Sequence, residues 1–331
     1  MDIRKRILAL AVITTTLCLI ATLASAATNI TIVGAGKGAG AFRMAAGLAE
    51  AVNKSSKTVN VTNRESKGFV ANTRFVANNR SEIGMTNGIF VDFIQRGKKP
   101  FHKGKPKNTI RGIGPVSTSW FQVTTFQKSG IKTYYDLAGK RFNMGPRGSS
   151  TLFMTKFITD GIGITGKIQK NYLGWAQAAT NMIDGKLDAF GIPNPVPSPS
   201  ILRASRSKPI HILSIPDKIR DKFVALSSGY YKDNKDASPY NGMKGKKFKT
   251  VAYTIFAVTN KNVPNDVIYE VTRRVYDPKN RNFLINVFKG WKIGLDFAKK
   301  SGAFIQQMKN FNMNLHPGAA RYWKSKGYKV N

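Results

Sequence analysis

Cysteine and histidine are scarce in this chain of 331 residues. The single cysteine, Cys18, lies near the N-terminus, so the remainder of the chain has no disulfide and no thiol nucleophile. The three histidines, His102, His211 and His316, lie far apart in the sequence and lack the spacing of metal ligands. We therefore expect neither a disulfide-stabilised fold nor a cysteine-dependent enzyme, and we expect no metal and no cofactor.

Acidic residues are also few: 17 Asp and Glu stand against 53 Lys and Arg, a formal net charge of +36. Such a balance is often found in nucleic-acid-binding proteins. Here the basic residues are spread along the whole chain in short groups, and no nucleic-acid-binding motif accompanies them. We expect no nucleic-acid partner and interpret the charge as solvated surface that attracts anions. A basic surface protein that binds polyanions is an alternative.

Long apolar runs are missing except at residues 7–23, which follow the basic residues 4–6 and precede Ala-Ser-Ala at 24–26. This order of segments is typical of a secretory signal peptide. A membrane anchor is the alternative, because a run of about seventeen residues could nearly span a bilayer. The polar threonines at 14–16 and the Ala-Ser-Ala ending favour cleavage after Ala26. We expect residues 1–26 to be a signal peptide and the mature protein to be periplasmic or otherwise extracytoplasmic.

Catalytic motifs are missing as well. The sequence has no Gly-x-Ser-x-Gly elbow. Asp184 and Asp188 are four residues apart, but Gly185 breaks the predicted helix between them, which favours turn and cap roles over an acid/base pair. The glycine-rich loop at 34–40 is a loose dinucleotide fingerprint with Glu65 as its acidic partner, although such turns are common without a nucleotide. We expect no enzyme; a nucleotide-dependent enzyme that uses the Gly34 to Gly40 loop is an alternative.

Predicted strands and helices alternate along the rest of the sequence. The pattern predicts strands at 29–33, 58–62 and 81–86, with helices from 41 and at 70–77. Alternation of this kind predicts a parallel sheet with helices on its faces, where ligands bind beyond the carboxyl ends of the strands. The Gly34 loop and the segment Ser66-Lys67-Gly68 both fall at that end.

A second alternating unit follows the first. The sequence predicts a strand at 140–144, a helix at 152–159, a helix at 176–183 and a strand at 187–191. The proline-rich residues 193–199 are predicted as a rigid connector outside any helix or core strand. Residues 112–125 and 250–259 are predicted to be extended, a short helix is predicted at 134–137, and helices fill most of 266–328. The length also exceeds one average domain, so two lobes are expected.

Residues 145–151, Gly-Pro-Arg-Gly-Ser-Ser-Thr, are the strongest candidate for a binding site. The turn opens the predicted helix on hydroxyl residues, which leaves backbone N–H groups without partners. Hydroxyls, free N–H groups and Arg147 together suit a carboxylate or a phosphate. Serine and threonine are also favoured as helix caps, so a plain capping turn is the alternative.

Five short motifs occur in a fixed order from about residue 29 to 328. Residues 145–151 match Gly-Pro-x-Gly-Ser-x-Thr, 184–190 match Asp-Gly-x-x-Asp-Ala, and 315–319 with Tyr322 match His-Pro-Gly-Ala. Residues 40–42 stand in the place of Gly-Thr-Tyr, and 66–72 match Thr-Gly-Gly-Ser-x-Glu-Asn in part. This ordered set resembles the TAXI branch of the extracytoplasmic solute receptors of TRAP (tripartite ATP-independent periplasmic) transporters. The chain departs from that pattern at its first two motifs and by the additional charges of Lys67 and Arg147.

The resemblance implies an α/β, type II periplasmic-binding-protein fold, with two lobes joined by two hinge strands and a ligand cleft between them. The crossings would lie near 117–120 and 251–253, which gives lobe 1 as 28–118 plus 254–331 and lobe 2 as 119–253. The implied function is capture of a small organic anion, glutamate-like or a dicarboxylate, by lobe closure and its delivery to a TRAP-type integral membrane permease. We expect a monomer.

The expected site combines the anion-binding turn with the family's motif positions. Arg147 would bind a ligand carboxylate; its alternative is a solvent-exposed basic residue. Phe42 would form an apolar wall or the core face of the first helix, and Asn72 and Asn87 would offer amide contacts or form turns. The full expected set of ligand-binding residues is Gly40, Ala41, Phe42, Ser66, Lys67, Asn72, Asn87, Arg147, Gly148, Ser149, Ser150, Thr151 and Asn194.

Overall fold

The computed structural model describes residues 27–300 and 302–330. The predicted signal peptide at 1–26 lies outside the described residues. The described chain forms ten strands: β1 (Thr28–Val33), β2 (Val59–Arg64), β3 (Ile83–Asn87), β4 (Ile110–Phe126), β5 (Arg141–Asn143), β6 (Gln169–Asn171), β7 (Ala189–Asn194), β8 (Ile210–Ile212), β9 (Tyr231–Asp236) and β10 (Lys247–Asn260).

Twelve α-helices accompany these strands in the described chain. They are α1 (Gly40–Asn53), α2 (Phe69–Ala77), α3 (Gly88–Gln95), α4 (Ser150–Gly161), α5 (Trp175–Ile183), α6 (Pro199–Ser207), α7 (Asp217–Leu226), α8 (Asn265–Val275), α9 (Arg281–Val287), α10 (Trp291–Ala298), α11 (Ala303–Lys309) and α12 (Pro317–Ser325). The five C-terminal helices fill most of the segment that the sequence predicts as helical.

All ten strands belong to one mixed sheet in the order β2-β1-β3-β10-β4-β7-β5-β6, with β8 paired to β4 and β9 paired to β10. The outer strands are parallel: β1 pairs in parallel with β2 and β3, and β5 with β6 and β7. The two central strands are antiparallel to all their neighbours. The predicted α/β class is confirmed, and its parallel pairing holds for the two outer portions of the sheet.

The two central strands, β4 and β10, are the longest and run through both halves of the sheet. Residues 247–252 of β10 pair with β9, whereas residues 255–259 pair with β3. Opposite this change of partner, β4 pairs with β7 from Trp120 onward. The ladder between β10 and β4 is irregular between Ile255 and Phe256. The protein is therefore a two-lobed, type II periplasmic-binding-protein fold. We call the part of the fold with β1–β3, α1–α3 and α8–α12 the first lobe, and the part with β5–β9 and α4–α7 the second lobe.

Helix α1 shows why these segments fold as they do. Met44, Leu48 and Val52 follow one another at helical spacing, and each is buried against the sheet. Burial of one such side chain stabilises the fold by about 1.5–3 kcal/mol. Gly47, on a neighbouring face, allows the indole of Trp291 to approach within 3.1 Å of the position that a Cβ atom would occupy. An alanine there would require the indole to shift by a few tenths of an ångström.

One local prediction is confirmed and another is wrong. The short helix predicted at 134–137 forms as a 3₁₀ helix at Tyr135–Leu137. The proline-rich segment is shorter than predicted, because β7 continues through Asn194 and α6 begins at Pro199. Strand β7 pairs with β5 only at Ala189 and Phe190, so Pro193 lies where no ladder hydrogen bond is required on that side. Proline is also favoured in the first turn of a helix.

Within residues 27–300 and 302–330, no helix has both the length and the apolar composition needed to cross a bilayer.

Candidate functional site

A closed cleft lies where the two lobes meet. The cavity between its walls measures about 20 Å³, which is space for about one water molecule. Both lobes and both central strands contribute to its lining, which consists of Ala35, Ala39, Ala41, Gly68, Phe69, Ser119, Ser150, Trp175, Pro193, Asn194 and Ile255. The carboxyl ends of β1 and β7 and the first turns of α1 and α2 surround it, as expected for ligand sites in α/β sheets.

Hydrogen bonds between the lobes hold the cleft closed. The N–H group of Gly40 donates to Asn194 Oδ1 at 3.2 Å. Asn194 is fixed for this role, because its Nδ2 atom donates to Ser198 Oγ at 3.0 Å. Elsewhere between the lobes, the N–H group of Ala71 in α2 donates to the carbonyl of Gly148 at 2.9 Å. Three of the predicted site residues, Gly40, Gly148 and Asn194, therefore contact the opposite lobe.

A buried polar cluster lies at the crossing of the central strands, and two of its four members, Ser119 and Ser150, line the cavity. Tyr253 on β10 is 1% exposed, and its hydroxyl lies 3.5 Å from Ser150 Oγ. Ser119 Oγ on β4 and Asn87 Nδ2 at the end of β3 are both buried and have no hydrogen-bond partner among the described residues. A buried donor or acceptor without a partner costs about 1–3 kcal/mol. The cluster therefore has unused hydrogen-bonding capacity inside the fold.

The hydroxyl of Tyr253 stays protonated in this environment. Burial raises its pKa, and the neighbouring Ser150, Ser119 and Asn87 side chains lower it by a smaller amount. Ser119 and Asn87 are close enough to affect the pKa of Tyr253, although neither meets the geometry of a hydrogen bond. A neutral tyrosine can both donate and accept a hydrogen bond. The cluster thus offers a ligand hydroxyl groups and one amide rather than a charge.

Four helices begin at the cleft. Ala41, Phe69, Ser150 and Trp175 line the cavity and lie in the first turns of α1, α2, α4 and α5. The N–H groups of a first turn have no partner within their helix, and the helix dipole makes this end favourable for negative charge. None of the residues that line the cavity carries a charged side chain. Any anion in the cleft would therefore meet backbone N–H groups and hydroxyls.

The hydroxyl residues of the predicted anion-binding turn have different roles. Ser149 is the N-cap of α4: its hydroxyl accepts from the N–H group of Leu152 at 3.1 Å and donates to the carbonyl of Pro146 at 2.6 Å. Thr151 accepts from the indole N–H of Trp175 at 3.0 Å, which fixes that ring against the cleft. Ser150 alone of the three lines the cavity. The capping alternative accounts for Ser149.

The two predicted cationic ligands lie outside the cleft. Arg147 is exposed, and its guanidinium carbon lies 4.7 Å from the centre of the Tyr172 ring. Lys67 is exposed on the opposite lobe, and neither residue lines the cavity. The positive φ of Gly148, +83°, turns the chain so that its carbonyl faces α2 while the preceding arginine faces solvent. The expected contact between Arg147 and a ligand carboxylate stays a prediction.

Three further predicted residues have structural contacts. Asn72 Nδ2 donates to the carbonyls of Val33, Gly34 and Met85, which ties α2 to the ends of β1 and β3. Ser66 Oγ accepts from the N–H group of Gly68 at 3.2 Å and forms a turn. Phe42 is half-buried on α1 and does not line the cavity.

Asn87 combines a structural role with a place in the cluster. Its Oδ1 atom caps α3 by accepting from the N–H group of Phe90 at 2.9 Å. This bond fixes the orientation of the amide, so that its Nδ2 atom faces Tyr253. The turn alternative therefore explains one end of the side chain, and the other end stays available.

Ser119 and Tyr253, the central members of the cluster, were missed as site residues. Both lie in the segments predicted as lobe crossings, Ser119 at the end of the polar run Ser117-Thr118-Ser119 and Tyr253 before Thr254. A polar residue in a strand that is buried on both faces is a signal for a ligand contact. Trp175 and Phe69 were also missed, because an aromatic residue at the start of a helix is equally compatible with an ordinary core.

Comparison with known proteins gave several similar solved structures and one family. A solved structure described as a periplasmic transporter is 14% identical, with a TM-score of 0.50 over 84% of this chain and 98% of that one. A putative L-cystine ABC transporter from Listeria monocytogenes is 13% identical, with a TM-score of 0.49 over 81% and 97%. A structure from work on glutathione import in Streptococcus mutans is 15% identical, with a TM-score of 0.47 over 80% and 95%. At these identities the likeness concerns the fold alone. The model of the NMT1-like family matches residues 32–327, so the chain belongs to the NMT1-like family.

Proposed function

We propose that this protein is an extracytoplasmic solute receptor that binds a small organic anion in the cleft between its lobes. The observation that carries the proposal is the buried cluster of Tyr253, Ser119, Ser150 and Asn87 at the crossing of the central strands. Buried polar groups are normally hydrogen-bonded, and a group without a protein partner calls for an explanation. A solute that hydrogen-bonds to these groups supplies it.

The chemistry of the cleft favours an anion over a cation. First-turn residues of four helices line it, and no acidic side chain does. A glutamate-like amino acid or a small dicarboxylate places a carboxylate against the first turn of α4 and further polar atoms against Ser119 and Tyr253. In this proposal Arg147 contributes only to the positive potential outside the cleft.

Binding requires the lobes to move apart and close again. A cavity of about 20 Å³ cannot admit a molecule of glutamate size in the closed arrangement. We assign residues 28–118 plus 254–331 to lobe 1 and residues 119–253 to lobe 2. The hinge then lies where β10 exchanges β9 for β3 and where its pairing with β4 is irregular. A hinge of this kind absorbs changes of backbone dihedral angles at a few positions.

The partner in this proposal is an integral membrane permease of the TRAP type. Support comes from the ordered set of TAXI-like motifs between residues 29 and 328. The receptor acts as a monomer that carries no cofactor. The nucleotide-dependent alternative has less support, because Lys37 lies 3.5 Å from Glu65, the acidic residue that a dinucleotide ribose would need.

A ligand screen tests the proposal directly. Small organic acids and amino acids are added singly to the mature protein, and the melting temperature is recorded. We expect a rise for at least one carboxylate, followed by saturable 1:1 binding in calorimetry. The variant Ser150→Ala should weaken that binding, and Arg147→Ala, outside the cleft, should not. A screen in which only highly charged polyanions bind, with an affinity that collapses in salt, contradicts the receptor function.

A further inference from the structure

A second interlobe cavity lies outside the ligand cleft. We call it the basic groove; it measures about 630 Å³, which is within the range of small-molecule sites. One wall is formed by the proline-rich chain before α6 and by α6 itself, in the second lobe. The other wall is formed by α1 and by the chain that joins α9 to α10, in the first lobe. Both lobes must be in place for the groove to exist.

Four cations line the basic groove without partners. Arg43 and Lys289 belong to the first lobe, and Arg203 and Arg206 belong to the second. All four are exposed, and none makes an ion pair or a side-chain hydrogen bond with another described residue. No aspartate or glutamate lines the groove. The charges converge on one cavity and have no protein counter-ion there, which predicts affinity for an anion.

Apolar side chains also line the groove. Pro197 and Leu202 on one wall and Val287 on the other are each partly exposed in the groove. Prolines at 195, 197 and 199 restrict the backbone of the second-lobe wall, so its shape is set before any ligand arrives. A site that combines cations with apolar side chains suits a molecule with an anionic group and an apolar body.

We propose that the basic groove is a second binding site, which takes a small organic anion with two or more negative charges and an apolar body. A nucleoside diphosphate represents this class. Its charged groups contact the guanidinium groups of both lobes, since arginine forms paired hydrogen bonds with phosphate and carboxylate oxygens. The chemical class of its ligand does not depend on which solute the cleft accepts.

Occupancy of the groove favours the closed arrangement of the lobes. Ser200, which lines the groove, donates from Oγ to the carbonyl of Gly38 at 2.8 Å, so the groove already contains a hydrogen bond between the lobes. An anion that contacts Arg43 on one wall and Arg203 on the other binds best when these walls are close. By linkage, a ligand that binds one conformation better shifts the population toward it.

Binding of ADP, inorganic pyrophosphate and adenosine to the mature protein, measured by calorimetry at physiological ionic strength, tests the site. We expect saturable 1:1 binding of ADP, weaker binding of pyrophosphate and none of adenosine. Arg43→Gln and Arg203→Gln should each weaken ADP binding by about tenfold, because charge-assisted hydrogen bonds are lost.

The matched control removes two charges elsewhere. Arg80 and Lys57 are exposed and lie outside the groove, so Arg80→Gln/Lys57→Gln should leave ADP affinity within about twofold of the parent. Equal loss in this control shows attraction to net charge alone and overturns the proposal. It also fails if Tyr253→Phe weakens ADP as much as Arg203→Gln does, since ADP then occupies the cleft. Equal affinity for ADP and pyrophosphate overturns the role of the apolar side chains.

Discussion

Tyr253 lies at the centre of the cleft cluster, and aromatic neighbours fix its ring. The ring centres of Phe69 and Tyr230 lie 6.2 and 5.9 Å away, both in edge-on arrangements. The variant Tyr253→Phe keeps this packing and removes only the hydroxyl. A neutral hydrogen bond contributes about 0.5–1.5 kcal/mol, so we expect the affinity for the cleft ligand to fall roughly two- to tenfold. Calorimetric titration measures the loss, and circular dichroism should give an unchanged fold. An affinity equal to that of the parent removes Tyr253 from the site.

The burial of His316 predicts that the stability of the protein depends on pH. It is fully buried, its Nδ1 atom accepts from the N–H group of Gly318 at 3.2 Å, and burial lowers its pKa. The unfolded chain therefore binds the proton more readily than the folded protein. The neutral side chain of His316 therefore contributes to stability above its unfolded pKa of about 6.5. This contribution is lost as the pH falls below that value.

The variant His316→Asn isolates this effect, because asparagine also caps a helix and has no charge to gain. Melting temperatures of both proteins are compared between pH 8 and pH 5. We expect the parent to lose more stability than the variant over this interval. Parallel curves mean that His316 titrates alike in the folded and unfolded states.

The roles within the run Ser149-Ser150-Thr151 show how far sequence reasoning reaches at the residue scale. The segment was predicted as a helix start near a ligand, and Ser150 does line the cleft. The helix begins at Ser150 rather than at residue 152, and this difference makes Ser149 the cap. Arg147 could not be placed from sequence either, because the turn at Gly148 decides whether its side chain faces the cleft or Tyr172.

At the scale of secondary-structure elements, helix α4 contacts the first lobe through Phe153. Its ring packs against Phe90 and Phe93 of α3, with ring centres 5.5 and 6.2 Å apart. Aromatic pairs of this geometry are each worth about 0.5–1.5 kcal/mol beyond their buried area. The pairs exist only when the lobes are closed, so they stabilise the closed arrangement.

We expect Phe153→Leu to weaken binding of the cleft ligand several-fold without altering any group that touches it. The control is Phe157→Leu one turn later, because Phe157 packs on Phe223 within the second lobe, with ring centres 4.3 Å apart. Calorimetry compares the two affinities, and thermal melts report the stability of each variant. A larger affinity loss in the control contradicts a role for the α3–α4 contact in closure.

The order of elements was largely predictable from sequence, whereas their junctions were not. Alternating apolar periodicity predicted β1–β3 with α1 and α2, because each helix buries one stripe against the sheet. The proline-rich segment misled the prediction: Asn194 ends a core strand and bonds to Gly40 across the cleft. That contact joins residues 154 positions apart in the chain, and local pattern carries no information about such a pair.

At the scale of the whole molecule, both lobes carry excess positive charge. The proposed lobe 1 contains 29 basic and 8 acidic residues, and lobe 2 contains 21 and 8. Like charges repel across the cleft, so the free energy of closure includes an unfavourable electrostatic part. An anion bound between the lobes reduces it, and dissolved salt screens it. The strong basic charge therefore couples the position of the lobes to ionic strength.

We expect the ligand-free protein to become more compact as salt is added. The screening length is about 30 Å at 0.01 M salt and about 8 Å at 0.15 M, so repulsion between the lobes weakens strongly over this interval. Small-angle scattering should give a radius of gyration that falls with salt when no ligand is present. With a saturating cleft ligand, the radius should already be small at 0.01 M and change little. The ligand-free radius could instead stay constant across this interval while ligand alone reduces it. The hinge strands and interlobe contacts, rather than charge, would then set the resting position of the lobes.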